Sequence, residues 1–375
     1  MDKHLGALVD QVKIASTMRE PLRICGGGSK DFYGEPFDAA LPRLDTRSYA
    51  GIVNYEPSEL VITAKAGTPL VALEAALAEK GQCLAFEPPH FNEYSTVGGM
   101  VAAGLAGPAR ACVGGARDYV LGAHLVNGKG ELLEFGGQVM KNVAGYDVSR
   151  ALAGSMGTLG LITQVSLKVL PVATAEATLT FNMDEQTAIR SCNEWAGQPL
   201  PLSASSWVKS QDTATLYLRL RGAMAAVESA CKRLANEAGG VRMDSVQTKA
   251  DWTAARDLQL PWFKAGFARG DDLWRTSVPQ TTPPLNLGDT MIDWLGGQRW
   301  LFMPNAQRAE AAQRIRHAVS VAGGSTTLFI ASHAVATGDI ARFDNKLAAI
   351  AHITKMLKAE FDPAGIFNRG RLGVI

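Results

Sequence analysis

The hydrophobic positions at the start of the chain predict one helix, followed by a strand that ends in a tight loop. A helical face between residues 5 and 18 carries Leu5, Leu8, Val9, Val12 and Ile14. Apolar residues that recur every three or four positions are typical of a helix that packs on a core. The short apolar run Leu22–Cys25 follows and stops at three glycines. This order predicts a strand that leads directly into a loop.

The next segment alternates short strands with one clearly delimited helix. Strands are predicted at 49–53 and 60–65, on either side of the turn sequence EPSE, and again at 82–86. The helix LVALEAALAEKG follows Gly67-Thr68-Pro69. This places Thr68 at the N-cap, proline at the first helical position and Gly81 just past the end. The order resembles a βαβ unit.

The second half of the chain predicts a different arrangement. Strand patterns occur at 177–182 and 213–221, and helical patterns at 223–237, 306–321 and 338–361. Such a mixture favours an α+β domain with an antiparallel sheet. A chain of 375 residues is also too long to form a single hydrophobic core of ordinary size. We therefore predict a two-domain α+β protein. Its parts are a first domain at 1–171, a cap domain at 172–350, and a C-terminal helix and tail at 351–375 that packs on the first domain.

Glycine is concentrated between residues 95 and 160. These glycines have no repeat period, and they separate apolar segments. Glycine in that setting marks backbone that approaches a ligand closely, because it places no side chain in the way. The length of the region predicts a long, extended ligand.

The first candidate binding motif is the loop Gly26-Gly27-Gly28-Ser29-Lys30, directly after the predicted strand. Consecutive glycine N–H groups can turn inward to hold an anion such as a pyrophosphate. The dinucleotide pattern G-x-G-x-x-G fails because position 31 is aspartate, and the P-loop pattern has no match around 128–130. An ordinary glycine turn after a strand is the alternative interpretation.

Further blocks follow in order along the chain. PPHF at 88–91 leads to STVGGMVAAG at 95–104, whose small residues would let a phosphate-bearing ligand lie against a helix start. Tight packing of that helix is the alternative. GARDYVLG at 115–122 precedes a predicted hairpin that turns at Asn127-Gly128. KNVAGYD at 141–147 and GSMGTLGLIT at 154–163 complete the series.

In this order and spacing, the blocks resemble the FAD-binding domain of the vanillyl-alcohol oxidase superfamily, also called the para-cresol methylhydroxylase (PCMH) type, over roughly residues 20–171. The resemblance implies that the FAD pyrophosphate is cradled by Gly26, Gly27, Gly28, Ser29 and Lys30. It implies that the flavin and ribityl region is lined by Pro89, Thr96, Gly98 and Gly99. It also implies that Gly104 packs against the cofactor, and that the backbone at Gly160 and Ile162 meets the adenosine half.

Within the superfamily, these blocks and the terminal FDPAGIFNRGRL are most similar to the FAD-binding subunits of bacterial glycolate oxidases. The resemblance implies a complex that oxidises glycolate to glyoxylate and passes electrons to an iron–sulfur subunit. A second flavin-binding subunit is the other implied partner. The loop at 26–30 lacks the histidine to which covalently bound flavin is often attached in this superfamily, so non-covalent FAD is expected.

Two alternatives to a complex subunit remain open, and a departure from the superfamily favours the one without a substrate site. Many of its 2-hydroxy-acid dehydrogenases carry a paired-histidine metal motif, and no His-His pair occurs here. No metal ligands are therefore predicted. One alternative is a stand-alone FAD-dependent 2-hydroxy-acid dehydrogenase. The other is a non-catalytic, FAD-bearing scaffold or electron-relay subunit.

Oxidation of a 2-hydroxy acid requires a base for the hydroxyl proton and a cation for the carboxylate. His90 is the candidate base because it lies in the loop expected to face the flavin; a packing role is the alternative. Arg275, Arg299 and Arg369 are candidate carboxylate clamps, with surface or interdomain ion pairs as the alternative. An aromatic group in the second domain is interpreted as core, pocket or partner surface: Trp252, Trp262, Phe263, Phe267, Trp274, Trp294 and Trp300.

The net charge and the cysteine content limit the classes of partner and cofactor that are expected to bind this chain. The formal net charge is only +1, which predicts no binding to nucleic acid or to anionic lipid. The five cysteines are far apart and include no C-x-x-C pair, which indicates reduced thiols and no iron–sulfur cluster in this chain. With no signal-peptide pattern and no long apolar run, we expect a cytoplasmic protein. Membrane association, at the inner face of the cytoplasmic membrane, is expected only through its partners.

Overall fold

The structure is a computed structural model that describes residues 2–137, 147–210, 213–332, 340–344 and 347–373. The chain forms two compact units. The first comprises Met1–Leu105, Gly115–Val172 and Asn345–Ile375, and the second comprises Ala106–Gly114 and Ala173–Asp344. The division after Val172 lies one residue from the boundary expected from the sequence, and the C-terminal segment lies in the first unit.

The secondary-structure elements are numbered here in chain order. The helices are α1 (Lys3–Met18), α2 (Leu70–Ala78), α3 (Val97–Ala103), α4 (Arg110–Val113), α5 (Ala116–Tyr119), α6 (Val148–Ala151), α7 (Glu185–Ala196), α8 (Met224–Ala238), α9 (Ser245–Arg256), α10 (Pro261–Ala268), α11 (Arg308–Val321) and α12 (Ala348–Phe361). The strands are β1 (Arg23–Cys25), β2 (Arg43–Asp45), β3 (Ile52–Glu56), β4 (Val61–Lys65), β5 (Gln82–Cys83), β6 (Val120–Val126), β7 (Leu132–Gly136), β8 (Leu161–Lys168), β9 (Leu170–Pro171), β10 (Ala175–Asn182), β11 (Leu202–Ser210), β12 (Thr213–Gly222), β13 (Val241–Arg242), β14 (Asp272–Ser277), β15 (Thr290–Asp293), β16 (Gln298–Met303) and β17 (Ser325–Ile330). Short 3₁₀ turns lie at Pro57–Glu59, Trp294–Gly296 and Asn305–Gln307.

The first unit is built on an antiparallel sheet in the order β3-β4-β8-β6-β7, together with the two-stranded pairs β1-β2 and β5-β9. The hairpin between β6 and β7 turns at Asn127, as predicted. The Asn127 side-chain oxygen accepts hydrogen bonds from the backbone N–H groups of Lys129 (2.9 Å) and Glu131 (3.0 Å). This local bonding explains why an Asn-Gly pair sets the turn. The predicted βαβ order is wrong, because β5 pairs antiparallel with β9.

Helix α1 buries the apolar stripe that its spacing predicts. Its buried residues are Leu5, Leu8, Val9, Val12 and Ala15, which pack in one cluster with Leu22, Leu44, Ile366 and Phe367. Ile14, which the sequence placed on the same face, is 63% exposed. The helix begins after Asp2, whose carboxylate accepts from the His4 N–H at 2.8 Å, and ends at Arg19 in the left-handed region.

The start of α2 differs from the prediction. Pro69, not Thr68, occupies the N-cap position, and no side chain caps the helix there. The Thr68 hydroxyl instead donates to the Lys65 carbonyl at 2.7 Å and accepts from the Gly51 N–H at 2.9 Å. Thr68 therefore joins the end of β4 to the start of β3, a tertiary role that competes with capping.

The C-terminal tail returns to the first unit, as the sequence predicted. The Leu22 N–H donates to the Ile366 carbonyl at 2.7 Å, and the Asn368 N–H donates to the Leu22 carbonyl at 3.1 Å, so the tail runs beside β1. The Asp362 carboxylate accepts the backbone N–H groups of Ile366 (3.0 Å) and Phe367 (2.9 Å) and pairs with Lys358 at 2.5 Å. These bonds explain how the sequence FDPAGIF turns the chain after α12, which begins at Ala348 and not at the predicted residue 338.

The second unit confirms the predicted α+β architecture with an antiparallel sheet. Its strands run in the order β13-β10-β12-β11-β15-β16-β14-β17, and every described pair is antiparallel. Helices α7 and α8 pack on one face around Leu179, Phe181 and Leu218, and α11 packs around Trp274 and Leu301.

Residues 106–114 lie in this second unit, although the sequence placed them in the first domain. The Trp294 indole N–H donates to the Gly107 carbonyl at 3.0 Å, and the Arg110 guanidinium lies 4.6 Å from the centre of the Trp294 ring. One aromatic side chain, distant in sequence, thus fixes this segment. Local sequence patterns carry no information about such a contact.

Candidate functional site

A pocket in the first unit brings together most of the residues proposed from the sequence. The glycine loop after β1 forms one wall, the start of α3 another, and the segments near residues 157–162 and 368–371 complete it. The predicted residues that line it are Gly26, Gly27, Gly28, Ser29, Lys30, Thr96, Gly98, Gly99, Gly160 and Ile162. Residues separated by more than 130 positions in the sequence therefore share one site.

The loop at 26–30 lies closely against the chain that leads into α3. A β-carbon at Gly27 would lie 1.5 Å from the Tyr94 carbonyl oxygen, and one at Gly26 would lie 2.3 Å from the Thr96 hydroxyl. Gly28 has φ +70°, a conformation that favours glycine. The sequence needs glycine here so that the loop can pack this closely.

The same loop offers unused hydrogen-bond donors. Among the described residues, none accepts a hydrogen bond from the backbone N–H groups of Gly26, Gly27, Gly28 or Ser29. Four successive donors along a pocket wall are suited to an anion such as a phosphate group. Ser29 is buried, Gly26 and Gly27 are half-buried, and Gly28 is exposed. Their N–H groups are therefore available to a ligand that enters the pocket.

Cationic side chains add to this electrostatic preference. Arg23, Lys30, Arg369 and Arg371 line the pocket, and Asp31 is the one carboxylate among its described lining residues. The Lys30 ammonium donates to the Ser95 hydroxyl at 2.7 Å and to the Ser29 hydroxyl at 3.0 Å, which fixes it beside the loop. The charge balance favours an anionic ligand.

Two arginines are held in position by one aromatic ring. The Arg23 guanidinium lies 3.7 Å from the centre of the Phe37 ring, and that of Arg371 lies 4.9 Å from it. Arg23 also pairs with Asp31, and Arg371 donates to the Tyr33 and Glu35 carbonyl oxygens. Cation–π contacts and these hydrogen bonds restrict both side chains before any ligand binds.

The start of α3 is a second wall built without bulky side chains. Thr96 is its N-cap, and its hydroxyl accepts from the Gly99 N–H at 3.2 Å. A β-carbon at Gly98 would lie 2.7 Å from that of Ala66, so glycine lets α3 lie against the end of β4. The helix start therefore presents backbone and a small hydroxyl to the pocket.

Two predicted cofactor residues are not among those that line the pocket. Pro89 is buried elsewhere in the first unit. Gly104 ends α3 with φ +64°, and a β-carbon there would lie 2.7 Å from the Gly154 backbone nitrogen. Protein packing and the helix end are sufficient to explain glycine at this position.

The tail supplies pocket residues that sequence reasoning missed as binding residues. The Asn368 side chain accepts from the Ile24 N–H at 2.8 Å and donates to the Met156 carbonyl at 2.7 Å, which ties β1, the 154–160 segment and the tail together. Lys358 donates to the Thr158 carbonyl at 2.5 Å, and burial lowers the pKa of its ammonium. The two arginines in the sequence FNRGRL were the signal from which an anion-binding role of the tail could have been predicted.

The catalytic candidates do not come together in this pocket. His90 Nε2 lies 3.0 Å from a Glu74 carboxylate oxygen, and His90 is not a pocket-lining residue. Arg275 lies on β14 of the second unit, with its guanidinium 4.9 Å from the centre of the Phe329 ring. Of the three candidates His90, Arg275 and Arg369, the pocket includes Arg369 alone, and its guanidinium donates to the Gly365 and Arg19 carbonyl oxygens.

Arg299 has a structural role. It is 1% exposed, and it donates to the carbonyl oxygens of Thr282 and Pro283, the latter at 2.8 Å. Burial lowers the pKa of its guanidinium. It therefore fixes the 280–283 loop from inside the second unit, and the clamp hypothesis is wrong for this residue.

Residues 141–146 of the KNVAGYD block lie outside the described part of the chain. Within the described ranges, no group of three or more His, Cys, Asp or Glu side chains is placed to hold a metal ion.

Comparison with known proteins identifies the kind of ligand. Residues 3–136 match the family described as "FAD binding domain", which confirms the predicted cofactor. The glycolate oxidase subunit GlcE of Escherichia coli (strain K12) is 42% identical over 98% of this chain and 96% of that protein. The glycolate oxidase subunit GlcD of Bacillus subtilis (strain 168) is 33% identical over 34% of this chain and 27% of that protein.

A solved structure supports the fold. That of an alkyldihydroxyacetonephosphate synthase matches with a TM-score of 0.68 and 17% sequence identity, and covers 96% of this chain and 74% of that one. At this identity the likeness shows the fold alone. Together with the match to the FAD binding domain, it confirms the predicted fold, a PCMH-type FAD-binding domain with a second α+β domain.

Proposed function

The chain belongs to the family of the glycolate oxidase subunit GlcE, and from this premise we propose that it is the FAD-binding subunit of a glycolate oxidase (glycolate dehydrogenase) complex. In this proposal the complex oxidises glycolate to glyoxylate. A second flavin-binding subunit and an iron–sulfur subunit are the partners, and the electrons pass to the iron–sulfur subunit. The names of the two glycolate oxidase relatives, each called a subunit, support an assembly.

The observation that carries the proposal is the row of unused N–H donors at Gly26–Ser29. FAD contains a diphosphate, and a row of backbone amides flanked by cations is suited to that group. The glycine-rich start of α3 lets a long, flat cofactor lie against backbone. The residues present therefore fit FAD. The loop contains no histidine, cysteine or tyrosine, which supports non-covalent binding.

Several of the pocket residues would then have a role in binding. The N–H groups of Gly26–Ser29 would donate to the phosphate oxygens, and Lys30 and Arg23 would balance their charge. Arg371 and Asn368 hold the tail against the pocket, and Thr96, Gly98 and Gly99 keep the wall at α3 flat. FAD, when bound, supplies the two-electron acceptor that oxidation of a 2-hydroxy acid requires.

The engagement of His90 with Glu74 favours a second candidate function. In this candidate the chain carries FAD as a scaffold or electron relay and leaves glycolate binding to the second flavin-binding subunit. A stand-alone dehydrogenase would instead need a base and a carboxylate clamp from this chain. The pocket in the first unit brings Arg369 but not His90 to its lining.

The proposed location is the cytoplasm, with membrane contact made by the partner subunits. No helix in the described ranges is both long and apolar enough to cross a membrane.

The test is an absorbance spectrum of the purified chain before and after acid precipitation, followed by anaerobic addition of glycolate. Flavin released by acid and not bleached by glycolate supports the subunit proposal, and co-purified partner subunits should then restore bleaching. Bleaching of the chain alone would establish a stand-alone dehydrogenase. Absence of flavin after reconstitution with FAD would contradict the proposal at its base.

A further inference from the structure

The second unit has a half-open cavity of about 540 Å³ that plays no part in the proposed function. It lies between one face of the sheet, where β10, β11, β12 and β15 run, and the helices α9 and α10. Protein cores are packed so closely that few voids exceed a water molecule, whereas ligand pockets enclose about 300–1,000 Å³. A cavity of this size is a candidate binding site.

Aromatic and apolar side chains form its walls. Trp252, Trp262 and Tyr217 contribute rings, and Met291 and Leu260 contribute apolar surface. Trp252 is held firmly, because its indole N–H donates to the Thr178 hydroxyl at 3.0 Å and its ring lies 4.9 Å from the Arg219 guanidinium. A flat, fixed wall of this kind favours a ligand with a ring that can stack on it.

The charges of the lining exclude a small anion as the ligand. Among the described lining residues there is no lysine, arginine or histidine, and Asp251 is the one carboxylate. Its oxygen accepts from the Gln247 amide at 2.8 Å. A 2-hydroxy acid would find no cationic side chain in the lining, and its few atoms would leave most of the volume empty.

Tyr217 supplies a polar anchor. It lies on β12 within the lining, and none of the described residues forms a hydrogen bond with its phenolic hydroxyl. Tyr217 is half-buried, so its hydroxyl is open to a molecule that enters the cavity. It is therefore suited to donate to an oxygen of a ligand.

We propose that this cavity binds an uncharged organic molecule with a flat ring system of at least two fused rings, whose oxygen accepts from Tyr217. The ligand stacks on Trp252 and Trp262. The site is separate in chemistry from the nucleotide pocket, since one selects an anion and the other a neutral ring.

The probe for the test is 1-naphthol, an uncharged fused-ring phenol, titrated calorimetrically into the purified, FAD-reconstituted full chain. Its matched anion, 1-naphthoate, is titrated in parallel. We expect one 1-naphthol per chain and at least about tenfold weaker binding of 1-naphthoate. Equal binding of the two, or no binding of 1-naphthol at millimolar concentration, would overturn the proposal.

Two variants locate the site. Ala255→Phe fills the cavity from α9 and is expected to weaken 1-naphthol binding at least about tenfold, whereas Ala226→Phe, on an exposed part of α8, should not change it. Tyr217→Phe keeps the ring and should weaken binding about fivefold, the typical worth of one hydrogen bond. Unchanged binding by both Ala255→Phe and Tyr217→Phe would place the probe elsewhere and refute the assignment.

The FAD content of every sample is measured by absorbance. A sample that binds FAD but not 1-naphthol would contradict the cavity proposal alone, and a sample without FAD would contradict the proposed flavin function. Thermal unfolding of Ala255→Phe shows whether that variant has folded. If it has not, 1-naphthol binding by Tyr217→Phe is the test of the cavity.

Discussion

The two candidate binding sites are built from different parts of the polypeptide. The pocket of the first unit is made largely of main chain, with glycines at 26–28 and 98–99 that let its walls pack closely. The cavity of the second unit is made of side chains, led by Trp252, Trp262 and Tyr217. A main-chain site depends on residues that have no side chain, so a single methyl group can destroy it. A side-chain site depends on the shapes of its side chains, so substitutions there can change ligand binding in small steps.

The strongest test of this contrast is Gly27→Ala in the first unit. The added methyl group would lie 1.5 Å from the Tyr94 carbonyl oxygen, so the loop must move away from α3 and take its N–H groups with it. We expect loss of nearly all bound FAD, at least about a hundredfold in affinity. The measurement is the flavin absorbance of the purified variant after reconstitution.

Gly137→Ala is the matched control in the same unit. Within the described part of the chain, no atom lies within 4 Å of a β-carbon placed there. Its FAD content should equal that of the wild type. Retention of FAD by Gly27→Ala would show that the main chain of the loop does not hold the cofactor.

The next largest effect is expected from an ion pair in the second unit. The Asp272 carboxylate is fully buried, accepts two hydrogen bonds from the Arg308 guanidinium at 2.6 and 2.8 Å, and accepts the Ser332 N–H at 3.0 Å. Asp272→Ala leaves a largely buried arginine without its carboxylate, which costs about 3–5 kcal/mol. Urea unfolding measures the loss, with the exposed Asp289→Ala as the control.

At this position the second unit depends on a paired side chain, whereas the pocket of the first unit depends on glycine. FAD should remain bound to Asp272→Ala at low urea. A loss of unfolding free energy below about 1 kcal/mol would mean that the pair adds little to the second unit.

A third test uses pH. Burial raises the pKa of Asp293 to about 6, and the Trp300 indole N–H donates to its carboxylate at 2.9 Å. In the unfolded chain an aspartate ionises near pH 4. Between about pH 4 and 6 the folded form holds a proton that the unfolded form has lost, so the free energy of unfolding falls as pH rises, by about 2–3 kcal/mol in total.

Asp293→Asn should remove this decrease. Urea unfolding of both proteins from pH 4 to pH 7 gives two curves whose difference reports Asp293 alone, because the other groups contribute equally to each. Parallel curves across that range would show that the carboxyl is not shifted in this direction.

The smallest of the four effects is expected at the tail. Asn368→Ala removes the hydrogen bonds to the Ile24 N–H and the Met156 carbonyl, which together contribute about 2 kcal/mol. Because Asn368 also lines the pocket, FAD should bind about tenfold more weakly, as measured by fluorescence titration. The exposed Gln11→Ala on α1 is the control. Unaltered FAD affinity with the full loss of stability would limit Asn368 to a structural role.

The local sequence pattern was sufficient to predict structure where residues close together in the sequence determine the conformation. The stripe of α1, the hairpin at Asn127 and the loop at 26–30 all follow from spacing and turn chemistry. The glycines predicted a long, extended ligand, because main-chain binding leaves glycine visible in the sequence. FAD itself was predicted from the resemblance of the ordered blocks to a known family.

Contacts between distant residues decided the rest. Phe37 holds Arg23 and Arg371, which are 348 positions apart in the numbering (371 − 23). Trp294 bonds to the 106–114 segment, which lies in the second unit. His90 lies beside Glu74 and does not line the pocket. Thr68 bonds to the ends of β3 and β4 and does not cap α2. The cavity was foreseen only as one of three interpretations of an aromatic group. Periodicity shows which residues are buried, but the partner of a buried side chain is fixed by packing of the whole chain.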